Sequence, residues 1–116
     1  MPYSKRQIVE VEFPINGRLL PHPAVILSVE KVYKDEGFYL ACLITSTTVR
    51  DKFSFVLDDD DVTKPFKKQS QVRLHMLFQV YDEDILSDTP EKYLKEESFQ
   101  RMIDFMDENV FGISYI

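Results

Sequence analysis

Few side chains in this sequence of 116 residues are histidines or cysteines, the types most used in zinc sites and for nucleophilic or acid–base chemistry. The chain has two histidines, His22 and His75, and one cysteine, Cys42. A zinc site needs three or four such ligands at defined spacing, and a calcium loop needs spaced acids that the four consecutive aspartates at 58–61 do not provide. We therefore interpret the aspartates as an exposed acidic turn and Cys42 as a small buried apolar residue.

Basic side chains are the other candidates, because they are what binds an anionic ligand. Residues 1–76 hold eleven Lys or Arg and ten Asp or Glu, whereas residues 77–116 hold three and ten, and the net charge is −6. A chain this acidic must concentrate positive charge locally to bind a nucleic acid. Lys64, Lys67 and Lys68 form either a phosphate-binding patch or a solvated loop. Arg73 and His75 either bind a ligand, form a solvated face of the fold or pair with the aspartates.

The elements that must position these residues are predicted mainly as short strands. The composition, 44% hydrophobic with only 3 glycines, is sufficient for a buried core. Alternating or β-branched apolar residues predict strands over 8–13, 24–29, 38–45, 53–57 and 70–80. The dipeptide Asn16-Gly17 marks a turn, and residues 14–23 are predicted as a long loop. Five short strands must close on themselves or be covered, which predicts a small barrel.

The last part of the chain is predicted as an amphipathic helix. Apolar residues follow at steps of three and four from Leu94 to Val110, with acidic residues between them. The segment 88–90, Asp-Thr-Pro, supplies start signals, and Gly112 supplies a stop. We expect one domain over 1–116, with a barrel over about residues 6–82 and a helix over about residues 89–111. No apolar stretch approaches the roughly 20 residues of a bilayer span, so we expect a cytoplasmic protein without membrane association.

The order of these features resembles the PemK/MazF family of toxin endoribonucleases. Six pieces carry the resemblance, in the family's order: Phe13-Pro14, the segment 21–28, Ile44-Thr45-Ser46, the segment 70–73, the turn 82–85 and the C-terminal helix. The resemblance implies an SH3-like barrel that cleaves single-stranded RNA without a metal ion or other cofactor. It also implies a homodimer, with Phe111 and Tyr115 as candidate contacts, and an antitoxin peptide that fills the RNA groove.

Roles carried over from the family fall on three candidate catalytic residues, His22, Thr45 and Arg73. In the family's reaction the ribose 2′-hydroxyl attacks its own phosphate, which requires a base, an acid and donors for the phosphoryl oxygens. Thr45 matches the functional threonine at the end of the central strand, and Arg73 matches a basic position. The resemblance implies that the side chains at 22, 45 and 73 share one cleft. The implied RNA-binding residues are Arg18, Ser46, Lys68, Ser70 and Gln71.

Two positions depart from the family pattern. His22 replaces an arginine, and Ser70 replaces a carboxylate that some members use as a base. Serine cannot accept the proton near neutral pH, whereas an imidazole can act as acid or base. His22 is therefore either the compensating group or a loop residue bonded to backbone. The departures and the acidic composition leave open a second hypothesis, a catalytically silent barrel that serves as a binding or structural module in a larger assembly.

Overall fold

The computed structural model, which describes residues 3–46, 51–86 and 91–114, is built on one antiparallel sheet. The described elements are β1 (Ile8–Ile15), β2 (Arg18–Ile26), α1 (Glu30–Glu36), β3 (Tyr39–Thr45), β4 (Ser54–Leu57), β5 (Ser70–Val80) and α2 (Glu96–Asn109). The sheet order is β1-β2-β3-β5-β4. The predicted fold class, mostly β with a C-terminal amphipathic helix, is confirmed.

Strands β1 and β2 form a tight hairpin, so the long loop predicted over 14–23 is wrong. Ile15 pairs with Arg18, and the two turn residues, Asn16 and Gly17, have φ of 52° and 76°. Positive φ at both positions is the geometry that Asn-Gly favours in two-residue hairpins. The prolines at 21 and 23 favoured the prediction of a loop, because proline is rare inside strands. They are tolerated because β3 pairs with β2 only over Ala24–Ile26, so no strand of the described residues pairs with their outer side.

The barrel closes through a short extended segment, residues 92–94, that lies between the start of β1 and the chain after β4. Tyr93 forms a bridge with Gln7, and Leu94 forms one with Val62. The Ile8 N–H donates to the Lys92 carbonyl at 2.8 Å, and the Leu94 N–H donates to the Arg6 carbonyl at 2.9 Å. These bonds use the backbone groups that a helix would need for itself.

Helix α2 consequently begins at Glu96 and not near residue 89 as predicted. Leu94, which the periodicity placed on the helix, is fully buried in the closing segment instead. The helix ends at Asn109, and Gly112 follows in the left-handed conformation with φ of 68°. The start signals at 88–90 and the candidate contact Tyr115 lie outside the described residues. Neither α1 nor α2 has the length and apolar character that crossing a bilayer needs.

Two apolar clusters hold the described elements together. One joins Ile8, Val25, Cys42, Ile44, Val72 and Leu74 from the strands to Phe99, Met102 and Met106 of α2. The other contains Val9, Val11, Ala24, Ile26, Tyr39, Ala41, Val80 and Ile85. Alternation along the strands sends neighbouring residues into different clusters, as Ile8 and Val9 show. Cys42 is completely buried, as predicted, and burial raises the pKa of its thiol to about 12.

Helix α1, a short helix of seven residues, lies where the sequence pattern predicted only a turn. Its polar residues read as a turn because no residue of α1 is buried. Two pairs at spacing i,i+4, Lys31 with Asp35 and Lys34 with Glu30, were the available signals. Gly37, with φ of 79°, ends the helix and donates its N–H to the Tyr33 carbonyl at 2.8 Å.

The aspartate run is not wholly an exposed turn, because its last member is buried. Asp61 is 5% exposed, and its carboxylate accepts hydrogen bonds from the Asp58 N–H at 2.8 Å, the Ser98 hydroxyl at 2.7 Å and the Arg101 guanidinium at 2.6 Å. Burial alone would raise the pKa of Asp61, but these donors outweigh it and lower that pKa. Asp61 thus links the chain after β4 to α2. Its cationic partner is Arg101, and neither Arg73 nor His75 pairs with it.

Candidate functional site

A cavity of about 590 Å³ opens where β2 and β3 stop pairing. The last pair of this ladder is Ala24 opposite Leu43, and the register of β3 against β5 shifts between Cys42 and Ile44. Beyond these points the two strands part. The cavity is lined by Glu10, Pro21, His22, Pro23, Ile44, Thr45, Ser46, Pro65, Phe66, Lys67, Lys68, Ser70 and Lys92. The cavity therefore lies where the β2–β3 ladder ends, beside the irregular part of the β3–β5 pairing, where four residues of β5 stand opposite one of β3.

Five of the eight candidate catalytic and RNA-binding residues line this cavity, from three separate parts of the chain. His22 comes from β2, Thr45 and Ser46 from the end of β3, and Lys68 and Ser70 from the start of β5. Ser70 is buried, and its hydroxyl donates to the Lys68 carbonyl at 3.0 Å, which fixes the turn before β5. The cavity thus brings together an imidazole, an ammonium group and hydroxyls from distant positions.

Three of the residues singled out do not line the cavity. Arg18 is exposed and lies at the hairpin end of β2, opposite Ile15. Gln71 is fully buried in β5, where it pairs with Thr45 on one side and with Val56 on the other. Its place beside Thr45 makes it a support for the strand end that carries the threonine.

Arg73 is the third candidate residue that does not line the cavity, and its side chain contacts other partners. Its guanidinium lies 3.2 Å from the Asp51 carboxylate and 3.4 Å from Nε2 of His75. The Phe53 N–H donates to Asp51 at 2.8 Å and is the main reason that the pKa of Asp51 is lowered, with Arg73 adding to the effect. The cleft expected to join positions 22, 45 and 73 therefore contains the first two without Arg73.

Lys92 and Phe66 are cavity residues that the sequence analysis did not identify. The Lys92 Nζ lies 3.8 Å from the centre of the Phe66 ring, a cation–π distance. Burial is the main cause that lowers the pKa of Lys92; Lys64 adds to this and Glu10 opposes it. Lys92 was assigned to the predicted helix, so no pattern in the sequence placed it beside β1. Phe66, an aromatic residue between lysines at 64 and 67, was the one available signal.

The charges around the cavity favour an anionic ligand. Lys67, Lys68 and Lys92 contribute three ammonium groups, whereas Glu10 contributes the carboxylate. Hydroxyl groups of Thr45 and Ser46 are donors for phosphoryl oxygens. Among the described residues, no group of three or more His, Cys, Asp or Glu side chains is placed to hold a metal ion. Chemically, the cavity combines a group that can transfer protons with cations and donors for an anion.

Comparison by sequence gives no assignment: no family model matches the chain, and neither does any curated protein. Comparison by structure does. An endoribonuclease in complex with its cognate antitoxin from Mycobacterial species superposes with a TM-score of 0.75 at 11% identity, covering 99% of this chain and 100% of that one. MazF in a MazE-MazF crystal structure from Deinococcus radiodurans gives 0.73 at 14% identity, covering 97% and 98%.

The Mycobacterium tuberculosis toxin MazF-mt6 is also similar, with a TM-score of 0.67, 15% identity and coverage of 92% of this chain and 99% of that one. The likeness extends over nearly the full length in all three comparisons, and it includes the C-terminal helix. The resemblance found in the sequence is thereby confirmed at the level of fold, and the chain has the fold of the MazF toxin endoribonucleases.

Proposed function

We propose that this chain is a MazF-type endoribonuclease, a single domain that cleaves single-stranded RNA without a metal ion. The observation that carries the proposal is the cavity at the parting of β2 and β3. It unites His22 and Thr45, the two positions with expected catalytic roles, with ammonium groups suited to a phosphate. The fold that it shares with solved endoribonucleases supports the same reading.

In the proposed reaction the ribose 2′-oxygen attacks the adjacent phosphorus, and the bond from phosphorus to the 5′-oxygen breaks. The 2′-hydroxyl loses its proton to a base, and the leaving 5′-oxygen gains one from an acid. His22 is assigned the first transfer and accepts the proton of the 2′-hydroxyl, because Ser70 cannot accept a proton near neutral pH. The leaving 5′-oxygen takes its proton from solvent water. Thr45 donates a hydrogen bond to a phosphoryl oxygen, where negative charge increases in the transition state.

The remaining residues have supporting roles in this proposal. Lys68 and Ser46, which line the cavity, contact the RNA directly. Gln71 holds the end of β3 in place from the neighbouring strand, and Ser70 holds the turn that carries Lys68. Arg73 and Arg18 lie outside the cavity and neutralise phosphates of the strand on either side of it.

The partners proposed for the chain follow from the same relationship. A solved relative is an endoribonuclease bound to its cognate antitoxin, and another is MazF with MazE. We therefore propose that an antitoxin segment occupies the cavity and blocks the RNA, and that the toxin acts as a homodimer in the cytoplasm. Phe111, which is 55% exposed after α2, is the proposed dimer contact within the described residues.

The test is cleavage of a mixed-sequence single-stranded RNA pool by the purified protein in the presence of a chelator. We expect products that end in a 2′,3′-cyclic phosphate, and we expect His22→Ala to abolish most of the cleavage. His75→Ala is the matched control, since it removes the other histidine from an exposed position outside the cavity. A protein that leaves the whole pool intact would contradict the proposed activity.

A second candidate function, a silent binding module of the same fold, is favoured by one observation. Arg73 is engaged with Asp51 and does not enter the cavity, so the expected trio of catalytic residues is incomplete there. Such a module would bind single-stranded RNA or a peptide without cutting it. Binding of the RNA pool with no cyclic phosphate formed would select this candidate.

A further inference from the structure

The position of Lys92 is set by the segment that closes the barrel. Its carbonyl accepts the Ile8 N–H at 2.8 Å, and the next two residues bridge to Gln7 and Val62. The backbone of residue 92 is therefore held against β1 on one side. Its side chain lines the cavity together with residues of β2, β3 and the loop before β5.

The ammonium group of Lys92 rests on an aromatic ring and has no acidic partner at close range. Nζ lies 3.8 Å from the Phe66 ring centre. Among the described residues, no carboxylate oxygen lies within 4.0 Å of the Lys92 Nζ, the distance limit for an ion pair. Arg73 and Arg101, in contrast, each have a carboxylate partner within that distance. A cation that is partly removed from water and not neutralised by a nearby acid is a strong site for an anion.

The neighbours of Lys92 indicate which anion fits. Lys67 and Lys68 line the same cavity, and the Thr45 and Ser46 side chains lie at its β3 wall. Several ammonium groups spaced around a groove suit a polyanion better than a single carboxylate. Glu10 also lines the cavity and acts on Lys92 through its charge, and it is outnumbered there by the three ammonium groups.

We propose that Lys92, seated on the Phe66 ring, binds a backbone phosphate of the single-stranded RNA that enters the cavity. This inference rests on the proposed function, since it names a further substrate contact in the same cavity. It assigns part of the RNA site to the segment before α2. Lys92 is a substrate-binding residue here and takes no part in proton transfer.

The test measures binding of a random pool of 2′-O-methyl RNA oligonucleotides, which cannot be cleaved because the attacking hydroxyl is blocked. Fluorescence anisotropy at a series of salt concentrations gives the slope of log K against log salt, which changes by about 0.7 for each phosphate contact on a single strand. We expect Lys92→Gln to reduce the slope by about 0.7. Lys92→Arg keeps the charge and should keep the slope.

Lys31→Gln is the matched control, because it removes the same charge from α1, where Lys31 pairs with Asp35 in solvent. Its slope should equal that of the unmodified protein. A Lys92→Gln protein with an unchanged slope overturns the assignment, and a lowered unfolding temperature with that unchanged slope identifies Lys92 as structural.

The outcomes for Lys92 and for the proposed function are separable. If the protein cleaves RNA while Lys92→Gln keeps the full slope, only the Lys92 contact is wrong. If Lys92→Gln reduces the slope in a protein that cleaves no RNA, the contact stands and the nuclease activity is wrong. A protein that binds none of the oligonucleotides overturns the Lys92 contact.

Discussion

His22 and Thr45 flank the gap where β2 and β3 part, although continued pairing beyond Ala24 and Leu43 would place them opposite each other. Two residue pairs that a continued β2–β3 ladder would contain are absent at this point. The pairing of β3 with β5 is irregular at the same level, between Cys42 and Ile44. The space so formed is the cavity, and its walls include the two residues assigned to the reaction.

Replacing Thr45 by Val tests the hydroxyl without changing the size of the side chain. We expect cleavage to fall by about 100-fold, the usual cost of removing one donor to a developing oxyanion. Thr45→Ser keeps the hydroxyl and should retain most of the activity. Initial rates on the RNA pool provide the measurement, and equal rates for Thr45→Val and the unmodified protein would refute the role of the hydroxyl.

Arg73→Ala should lower cleavage less than Thr45→Val does, because the guanidinium is held by Asp51 outside the cavity. We expect a loss of about tenfold or less, since the contact is to a flanking phosphate and the salt bridge to Asp51 must open to make it. Rates compared in one assay decide the point. A larger loss than for Thr45→Val would mean that Arg73 moves into the site when RNA binds.

Asp61 should make the free energy of unfolding decrease at acidic pH. Its pKa is lowered in the folded chain, so its contribution is fully present above the unfolded aspartate pKa of about 3.9 and is lost as pH falls through the folded value. Asp61→Asn should reduce the free energy of unfolding by about 1–3 kcal/mol at pH 7, because the buried Ser98 hydroxyl, the Asp58 N–H and the Arg101 guanidinium lose their charged acceptor.

Urea unfolding at pH 7 and at pH 3 measures this effect. The difference between the two pH values should be smaller for Asp61→Asn than for the unmodified protein. Asp60→Asn, at the exposed neighbouring position, is the control and should behave like the unmodified protein. A pH dependence that Asp61→Asn leaves intact would assign the effect to other carboxylates.

The thiol of Cys42 should be inert in the folded protein. It is fully buried and its pKa is raised to about 12 by burial, so little thiolate exists at neutral pH and reagents cannot reach it. A chromogenic disulfide reagent at pH 8 should react only at the rate of unfolding, and at once in urea. Rapid labelling without denaturant would show that the barrel opens locally at β3.

Strand β5 illustrates what the sequence alone predicts well. Its eleven residues, Ser70–Val80, have the predicted bounds because apolar and polar residues alternate along it, with the exposed Leu77 as the exception. The inward residues Val72, Leu74 and Val80 are buried, and His75 and Gln79 on the other face are exposed. A period of two is a property of the strand itself, so it can be read without knowing the neighbours.

The closing segment shows why other elements were missed. The apolar periodicity that runs from Leu94 into α2 is helical, yet Tyr93 and Leu94 bond to Gln7 and Val62, which are far away in the sequence. Pro21 and Pro23 posed the same problem in β2, since their place in a strand depends on where β3 stops pairing. Both features are decided by distant partners that local patterns do not reveal.

The site was predictable only in part for the same reason. His22, Thr45 and Lys68 were identified by position in a family pattern, and they line one cavity. Arg73 was identified in the same way, but its side chain is directed by Asp51, whose location no pattern indicated. No sequence pattern indicated that Lys92 lies at the cavity, because its position depends on a backbone hydrogen bond to Ile8.

The closing segment also determines when during synthesis the cavity can exist. Residues 92–94 follow every strand of the sheet along the chain, and Lys92 itself forms part of the cavity wall. In a nascent polypeptide halted on the ribosome before Leu94 emerges, the bridges that join the beginning of β1 to the stretch after β4 have not formed. The cavity of such a translation intermediate lacks part of its wall until this segment has left the ribosome.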